Sequence, residues 1–449
     1  MIARDRIARF RAAEEDVFRD RFAASGRVAD GAAAHWHDGV PFHWMRDWPS
    51  PWPLVADHAV GATLTTVDGV TLDDFCLGDT ASMFGHAPPP VAAALAAQAP
   101  RGFSYMLPME AGLDVSARLA AIFGHPYWQV TSTASEANRA VIRWCRAITG
   151  RRKILIFNGA YHGAVDDAFV DLRGGVPTMR TSLLGQVADM RDTTLVIEFN
   201  DVAALDVALA RGDVACVLAE PVMTNVGMVM PDAGFLDHVR AAATRTGTIL
   251  VWDETHTVSS GLGGHGKAHG PLGDMVVVGK AIAGGMPTAV YGFTANVAAR
   301  MAAANAARTG GHSGIGTTLS ANALAMAAMR AMLTNVMTAE NYAAMLAGAD
   351  RLVAGLRRVI AAHGLDWQVA HVGARVEFIT SGAPIRNGSD ARAAMDGELD
   401  GAIHLGLVNR GLLLAPFHNM ALVSPVTSDA QIDRLADGLD AVLTALLGA

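Results

Sequence analysis

The sequence has 449 residues, of which 51% are hydrophobic and 17% are charged. This composition is typical of a globular protein with a large core, and it excludes an intrinsically disordered chain. The 43 acidic and 35 basic residues give a formal net charge of −8, and the lack of a basic run argues against a nucleic-acid partner.

The N-terminal segment and the cysteines indicate the compartment. The first residues are charged throughout and lack the apolar core of a signal peptide. No uninterrupted apolar run reaches the roughly 18 residues that a membrane helix requires. Cys76, Cys145 and Cys216 are far apart and form no Cys-x-x-Cys pair, so we expect buried, reduced thiols. These features predict a cytoplasmic protein without a membrane partner.

The first predicted element is an amphipathic helix over residues 3–24. Its apolar positions are Ile7, Phe10, Phe18 and Phe22. A tryptophan- and proline-rich stretch follows, from His35 to Pro53. Because proline keeps this stretch irregular, it is either a hydrophobic plug or the wall of a pocket.

Short β-branched runs alternate with helical segments from about residue 80 to 300. Helices are predicted over 135–149 and 233–246, and each is followed by a glycine. The alternation predicts an α/β fold with a mostly parallel sheet covered by helices, whose ligands bind at the carboxyl ends of the strands. The predicted strands are 153–157, 194–199, 214–220, 248–253 and 275–279.

After Thr318 the pattern changes to that of a smaller α+β domain. Its predicted helices are 320–334, 338–363 and one near 428–446, and its strand candidates are 367–372, 375–380 and 412–415. The predicted divisions are an N-terminal segment that joins the small domain (1–79), a large domain (80–328) and the small C-terminal domain (329–449).

Two charged residues end neighbouring predicted strands. Lys280 follows the run 275–279 and precedes paired glycines, and Asp253 ends the run 248–253. Taken alone, either residue is more often a solvated end group. Together they form the arrangement that holds pyridoxal phosphate (PLP), because the amine forms a Schiff base and the acid keeps the pyridine nitrogen protonated. The chain is therefore predicted to be an enzyme.

Other strand ends carry weaker signals. Hydroxyls at Thr133 and Ser135 precede a helix, where free amides and the helix dipole favour an anion, although an ordinary capped helix reads the same way. The small-residue turn 314–318 is also suited to phosphate. Tyr161, between glycines, either lies flat on an aromatic cofactor or fills a turn. Glu220 is either a buried carboxylate near the cofactor or part of a surface Glu-Pro turn.

In this order, the motifs resemble those of the class-III aminotransferases among the fold-type-I PLP enzymes, which include glutamate-1-semialdehyde aminomutases and β-amino-acid and ω-amine transaminases. The resemblance runs from about Gly69 to the end of the chain. It implies a fold-type-I transferase with PLP as cofactor and a homodimer with shared active sites. The motifs that carry it are Thr133-Ala134-Ser135, Thr149–Lys153, Tyr161-His162-Gly163, Glu220-Pro221, Asp253-Glu254, Lys280 with Gly284-Gly285, and Gly316-Thr317-Thr318.

The resemblance also implies a role for each matching residue. Lys280 would hold PLP and shuttle protons, and Asp253 would pair with the ring nitrogen. Tyr161 would stack on one face of the ring, and Thr255 would lie against the other. Ala134 and Ser135 would form the phosphate turn, and Thr318 would reach the phosphate of the partner subunit. The implied cofactor residues are Thr133, Ala134, Ser135, Tyr161, Glu220, Asp253, Thr255, His256, Lys280 and Thr318.

The chain departs from the family pattern at four places. Ala134 stands where the family has glycine, and Thr255 stands where valine is usual. His256 stands where many members carry a glutamine near the phenolic oxygen of PLP. The loop 415–420 lacks the carboxylate-binding arginine that many members place there. We therefore expect changed substrate recognition.

A substrate carboxylate would need another cation. Arg375 is the first candidate and Arg46 the second, although each also fits a surface or ion-paired arginine. Trp44, Met83 and His418 would help to form an apolar pocket. We therefore predict a transaminase that moves an amino group between a β-amino acid or hydrophobic primary amine and a keto acid in a ping-pong cycle.

Several alternatives stay open. A glutamate-1-semialdehyde-type 2,1-aminomutase would return the amine to a neighbouring carbon of the same molecule, and a catalytically retired member would only bind ligands. A P-loop NTPase is remote, because residues 261–267 match Gly-x-x-x-x-Gly-Lys but alanine follows. No Gly-x-Gly-x-x-Gly follows an early strand, which disfavours a dinucleotide-dependent oxidoreductase. The histidines lack carboxylate or cysteine partners at ligand spacing, so no metal site is expected.

Overall fold

The computed structural model describes residues 2–448. Met1 and Ala449, the outer ends of the predicted terminal divisions, lie outside the described residues. The helices are α1 (Arg4–Arg21), α2 (Ala23–Ala32), α3 (Pro89–Gln98), α4 (Ala111–Phe123), α5 (Ala134–Thr149), α6 (Val202–Ala210), α7 (Phe235–Thr246), α8 (Gly264–His269), α9 (Ala295–Ala306), α10 (Ala323–Asn335), α11 (Ala339–Ala362), α12 (Gly388–Ala394), α13 (Gly397–Asn409) and α14 (Asp429–Gly448).

The strands are short, and most follow the predicted positions. They are β1 (Ala56–Val60), β2 (Thr63–Thr66), β3 (Thr71–Asp74), β4 (Tyr127–Thr131), β5 (Lys153–Phe157), β6 (Val170–Arg173), β7 (Val176–Met179), β8 (Thr194–Ile197), β9 (Val214–Ala219), β10 (Ile249–Asp253), β11 (Met275–Val278), β12 (Ala289–Phe293), β13 (Gln368–Val372), β14 (Arg375–Ile379), β15 (Leu412–Leu413) and β16 (Met420–Leu422).

The chain divides into two compact units. The central unit comprises residues 89–342 and 384–393, and the terminal unit comprises residues 2–88, 343–383 and 394–448. Each unit has its own sheet and its own buried core.

A seven-stranded sheet forms the middle of the central unit, in the order β4-β12-β11-β10-β9-β5-β8. From β11 to β8 all neighbouring strands are parallel. One buried cluster joins this sheet to α5 and α9, and another joins it to α6 and α7, so helices cover both faces. The predicted mostly parallel sheet is confirmed.

Strand β12 was not predicted. It runs antiparallel to both of its neighbours, β11 and β4. Gly292 interrupts its hydrophobic pattern, and glycine is usually unfavourable inside a strand. The ring of Trp128 explains this glycine, because a Cβ atom at position 292 would lie 2.6 Å from it.

The terminal unit contains two small sheets. In one, β1, β2 and β3 pair with the short strand β15, and in the other β13, β14 and β16 form an antiparallel sheet. Apolar residues of α1, α11, α13 and α14 pack into one core with β14. The predicted smaller α+β region is therefore present, and Arg375 begins β14 as expected.

The predicted helix over residues 3–24 is wrong at its end, because α1 stops at Arg21 and α2 begins at Ala23. Phe22 leaves helical geometry, with φ −116° and ψ 37°. Its ring is fully buried, and its carbonyl accepts a hydrogen bond from the indole Nε1 of Trp52 at 2.9 Å. Tertiary packing thus breaks a helix that the sequence pattern continues.

The cysteine prediction is confirmed, since Cys76, Cys145 and Cys216 are buried and free. Within residues 2–448, no helix is both long enough and apolar enough to cross a membrane.

Candidate cofactor site

Three neighbouring parallel strands of the central unit end in polar residues at one edge of the sheet. Trp252 in β10 pairs with Ala219 in β9, so Glu220 and Asp253 follow side by side. Asp253 in turn pairs with Val277 in β11, three residues before Lys280. The parallel register therefore brings the predicted acid and amine to the same edge, where ligands of such sheets bind.

Asp253 is a buried, fully hydrogen-bonded carboxylate. Its Oδ2 accepts from Asn138 Nδ2 at 2.8 Å and lies 3.0 Å from His162 Nδ1. Its Oδ1 accepts from the amide of Thr255 at 3.1 Å. Asn138 also donates to the His162 carbonyl at 3.0 Å, which ties these two supporting residues together.

These donors decide the charge of Asp253. Burial opposes ionisation, but His162, Thr255 and Asn138 outweigh it and lower the pKa of Asp253 from 3.8 to about 2. The carboxylate is therefore charged at neutral pH, and it suits a protonated ring nitrogen.

The next residue has the opposite character. Burial raises the pKa of Glu254 to about 6, although the Thr257 hydroxyl and the amides of Gly266 and His265 oppose the rise. These donors bind Glu254 to the first turn of α8. Of the two adjacent carboxylates, Asp253 is therefore the better partner for a cation.

Lys280 is held in an unusual backbone conformation. Its φ is +50°, in the left-handed region that residues with a Cβ rarely adopt. Such strain is concentrated at functional sites. Gly279 is required just before it, because a Cβ there would lie 2.8 Å from Cβ of Ala134 and 3.4 Å from the methyl carbon of Thr255.

A line of hydrogen-bonded side chains approaches the amine of Lys280. Its Nζ lies 2.6 Å from His256 Nε2. His256 Nδ1 lies 2.7 Å from the Thr224 hydroxyl, which donates to Glu220 Oε2 at 2.5 Å. Glu220 is buried, as one of the two sequence interpretations expected, and is not part of a surface turn.

The predicted anion turn is the N-terminus of α5. The Thr133 hydroxyl caps it by accepting from the amide of Glu136 at 3.2 Å. Ala134 is the first residue of the helix and does not have positive φ, so the glycine usual in the family is not needed for its backbone. The Ser135 hydroxyl accepts from the amide of Ala164 at 2.9 Å.

These features fit a bound PLP. An ionised acid, a strand-end amine and the N-terminus of a 16-residue helix belong to one unit. In addition, Ser132 Oγ and Thr255 Oγ1 are buried without a hydrogen-bond partner in the structure. Buried polar atoms of this kind call for a polar group beside them.

Tyr161 and Thr318 lie in more open parts of the central unit. Tyr161 is 41% exposed, and its ring centroid is 6.4 Å from that of Phe169. Thr318 is exposed, next to a turn closed by Thr317 and Ser320. Stacking of Tyr161 on the ring and a phosphate contact by Thr318 stay predictions.

All five candidate substrate residues belong to the terminal unit. Arg375 is only 1% exposed, donates to the Thr80 hydroxyl and lies 3.7 Å from Asp79 Oδ1. Its Nε and Nη1 atoms are buried without a hydrogen-bond partner. Arg375 is therefore not a surface arginine. Arg46, in contrast, is exposed.

The other three candidates differ in their surroundings. The His418 side chain is 14% exposed and lies 3.2 Å from Glu377. Burial opposes protonation of His418, but the Glu377 carboxylate prevails and raises its pKa. Met83 is fully buried. Trp44 lines an apolar cavity of ≈ 480 Å³ with Trp36, Met45 and Trp48, so the tryptophan-rich stretch forms a pocket wall.

The structure disfavours the NTPase alternative. Lys267 Nζ donates to the carbonyls of Ala121 and Ile122, at 2.7 and 2.6 Å, and so caps the C-terminal end of α4. A phosphate-binding lysine would need these donors for its ligand. The resemblance of residues 261–267 to a P-loop is coincidental.

Comparison with known proteins agrees with the geometry. The family model for aminotransferase class-III matches residues 45–443. The chain belongs to the class-III aminotransferase family. A glutamate-1-semialdehyde 2,1-aminomutase of Nitratidesulfovibrio vulgaris (strain DSM 19637 / Miyazaki F) is 32% identical over 397 residues, which cover 87% of this chain and 91% of that protein.

Solved structures of similar proteins cover almost the whole class-III chain. A glutamate-1-semialdehyde aminomutase from Pseudomonas aeruginosa PAO1 has 43% identity and a TM-score of 0.96, over 99% of both chains. A β-phenylalanine aminotransferase from Variovorax paradoxus has 26% identity and a TM-score of 0.86, over 97% of both chains.

Membership of this family confirms the predicted fold-type-I fold, the enzyme class and PLP as the cofactor. Three supporting residues were missed by sequence reasoning. His162 and Asn138 lay inside quoted motifs without a role, and Thr224 carried no signal, since only the fold brings it between Glu220 and His256.

Proposed function

We propose that this class-III aminotransferase is a transaminase that moves an amino group between a β-amino acid or hydrophobic primary amine and a keto acid in a ping-pong cycle. The observation that carries amino-group transfer is the pairing of an ionised Asp253 with a strained Lys280 at one edge of the sheet. Both residues are needed for transamination.

The proposed roles follow from the positions of the residues. Bound PLP supplies an aldehyde and a ring that withdraws electrons from the substrate carbon. Asp253 keeps the ring nitrogen protonated, and Lys280 Nζ holds the cofactor and later moves the substrate proton. The N-terminus of α5, with Thr133 and Ser135, binds the phosphate.

Two features of the terminal unit support the substrate class. The cavity beside Trp44 is apolar and large enough for an aryl or alkyl side chain. Arg375 offers two buried N–H groups that lack hydrogen-bond acceptors, which suits a carboxylate. Arg46 is the exposed alternative. Met83 and His418 stay substrate-binding candidates.

The amino-group transfer is tested with protein loaded with pyridoxamine phosphate. We incubate it with pyruvate, 2-oxoglutarate or an aldehyde, and measure the amine product and the return of the PLP spectrum. Transfer to an external acceptor is expected. Its failure with every acceptor, while PLP still binds, would overturn the transaminase proposal.

The carboxylate site is tested separately with Arg375→Gln and Arg46→Ala. We compare the KM of a β-amino acid with that of 1-phenylethylamine, which has no carboxylate. The arginine that binds carboxylate should raise only the first KM. Equal kinetics on both substrates in both variants would exclude these residues.

A glutamate-1-semialdehyde 2,1-aminomutase is the second candidate. It is favoured by the 43% identity to the Pseudomonas aeruginosa PAO1 aminomutase over 99% of both chains. Conversion of glutamate 1-semialdehyde into 5-aminolevulinate without any external acceptor would establish this activity instead.

A homodimer is proposed from the surface of the central unit. Met106 and Leu107 are 79% and 71% exposed, and they line a groove with Thr317 and Thr318. A second copy covering this groove would bury the apolar side chains and contact Thr318, whose role is proposed for the partner's site. The buried free thiols support a reducing compartment, which we propose is the cytoplasm.

A further inference from the structure

A buried chain of three side chains ends at the amine of Lys280. Glu220, Thr224 and His256 are 2%, 0% and 9% exposed. They are joined by contacts of 2.5 and 2.7 Å, and His256 Nε2 lies 2.6 Å from Lys280 Nζ. Direct His256 Nδ1 to Glu220 Oε2 distance is 3.6 Å, so the hydroxyl of Thr224 bridges the two.

The chain has a direction. An ionised carboxylate only accepts hydrogen bonds, so the single hydroxyl proton of Thr224 goes to Glu220. The Thr224 oxygen must then accept from His256 Nδ1. A neutral His256 therefore carries its proton on Nδ1, and the lone pair of Nε2 faces Lys280.

This tautomer is the one that can remove a proton from the lysine. An ammonium group has no lone pair and cannot attack a carbonyl carbon. When the proton passes from Nζ to Nε2, one N–H bond breaks, another forms, and the electron pair stays on Nζ. The resulting imidazolium is stabilised by Glu220 through Thr224.

We propose that His256 is the proton acceptor that makes Lys280 nucleophilic toward PLP, and that Thr224 and Glu220 are positioning residues that fix its tautomer. The inference rests on the proposed function only in taking Lys280 as the residue that binds PLP. It concerns the residue at which this chain has histidine where many class-III members carry glutamine.

The first measurement is made on the protein without cofactor. Protein carrying ¹⁵N-labelled histidine is examined by long-range proton–nitrogen NMR, with the His256 signal assigned from His256→Gln. The neutral Nδ1–H tautomer is expected, and Thr224→Val should change the tautomer while Thr224→Ser keeps it. An Nε2–H tautomer in the unchanged protein would overturn the proposal.

The second measurement is the rate at which the protein takes up PLP, followed by visible absorbance, with borohydride reduction and mass spectrometry to locate PLP on Lys280. His256→Gln cannot accept the proton and should slow uptake at least about tenfold, in line with general-base catalysis. Thr224→Val should slow it in the same direction, and Thr224→Ser should restore it. Uptake at the unchanged rate in His256→Gln would overturn the proposal.

Thr257→Val is the matched control. Thr257 is also a fully buried threonine that donates to a buried glutamate, Glu254, but it is not part of this chain of hydrogen bonds. It should lower the melting temperature without slowing uptake. An equal slowing in Thr257→Val and Thr224→Val would indicate a packing effect and overturn the proposal. If the unchanged protein took up no PLP at all, the proposed function would fail instead.

Discussion

His162 sets the strength of the Asp253 carboxylate, and its removal should slow amino-group transfer without preventing PLP binding. The fall in the pKa of Asp253 from 3.8 to about 2 corresponds to about 2.5 kcal/mol in favour of the charged form. His162 is the foremost of the three groups that lower it. We assign about half of that free energy to His162, which makes His162→Leu about tenfold slower.

The assay is the single-turnover reaction of PLP-loaded protein with 1-phenylethylamine, followed by the loss of the PLP absorbance. PLP affinity is measured in parallel. His125→Leu is a matched control, because His125 is also buried in the central unit, 2% exposed, but contacts the Gly273 carbonyl at 3.0 Å. Equal rates in His162→Leu and His125→Leu would refute the reasoning.

Three other predictions follow from the same contacts. Asp253→Ala should still bind PLP but react several powers of ten more slowly, and near-normal turnover would contradict its role. Lys280→Ala should lose the visible PLP band, whereas Lys267→Ala should keep it, because Lys267 caps α4. Burial lowers the pKa of His404 from 6.5 to about 4, so stability should be full above pH 6.5 and fall by about 3 kcal/mol toward pH 4. Denaturant unfolding of His404→Phe should show a flatter pH dependence; an unchanged slope would exclude His404.

The sequence was sufficient for the elements that depend on local pattern. The strand ends at Asp253 and Lys280 were predictable because parallel neighbours bring their carboxyl ends to one edge. Strand β12 was missed because Gly292 makes sense only beside the Trp128 ring. The break at Phe22 was missed for the same reason, since it depends on Trp52, 30 residues later in the chain.

The supporting residues of the site were harder to predict than its charged groups. A carboxylate or an amine at a strand end has a chemical signature of its own, whereas a buried threonine between two elements has none. Thr224 lies 32 residues before His256, and its role depends on a 2.7 Å contact that only the folded chain creates. Sequence patterns identify such residues only after the fold has placed their partners.

Ala134 shows how a departure from a family pattern can be misleading when one position is considered alone. The sequence raised the question whether the phosphate turn needs glycine there, but the residue is helical and needs no positive φ. What the site does need is space between α5 and the segment before Lys280. That space is provided by Gly279, where an added Cβ would lie 2.8 Å from the Ala134 methyl group. The constraint therefore belongs to the pair of positions, and a methyl group at one is compatible with the fold because the other has none.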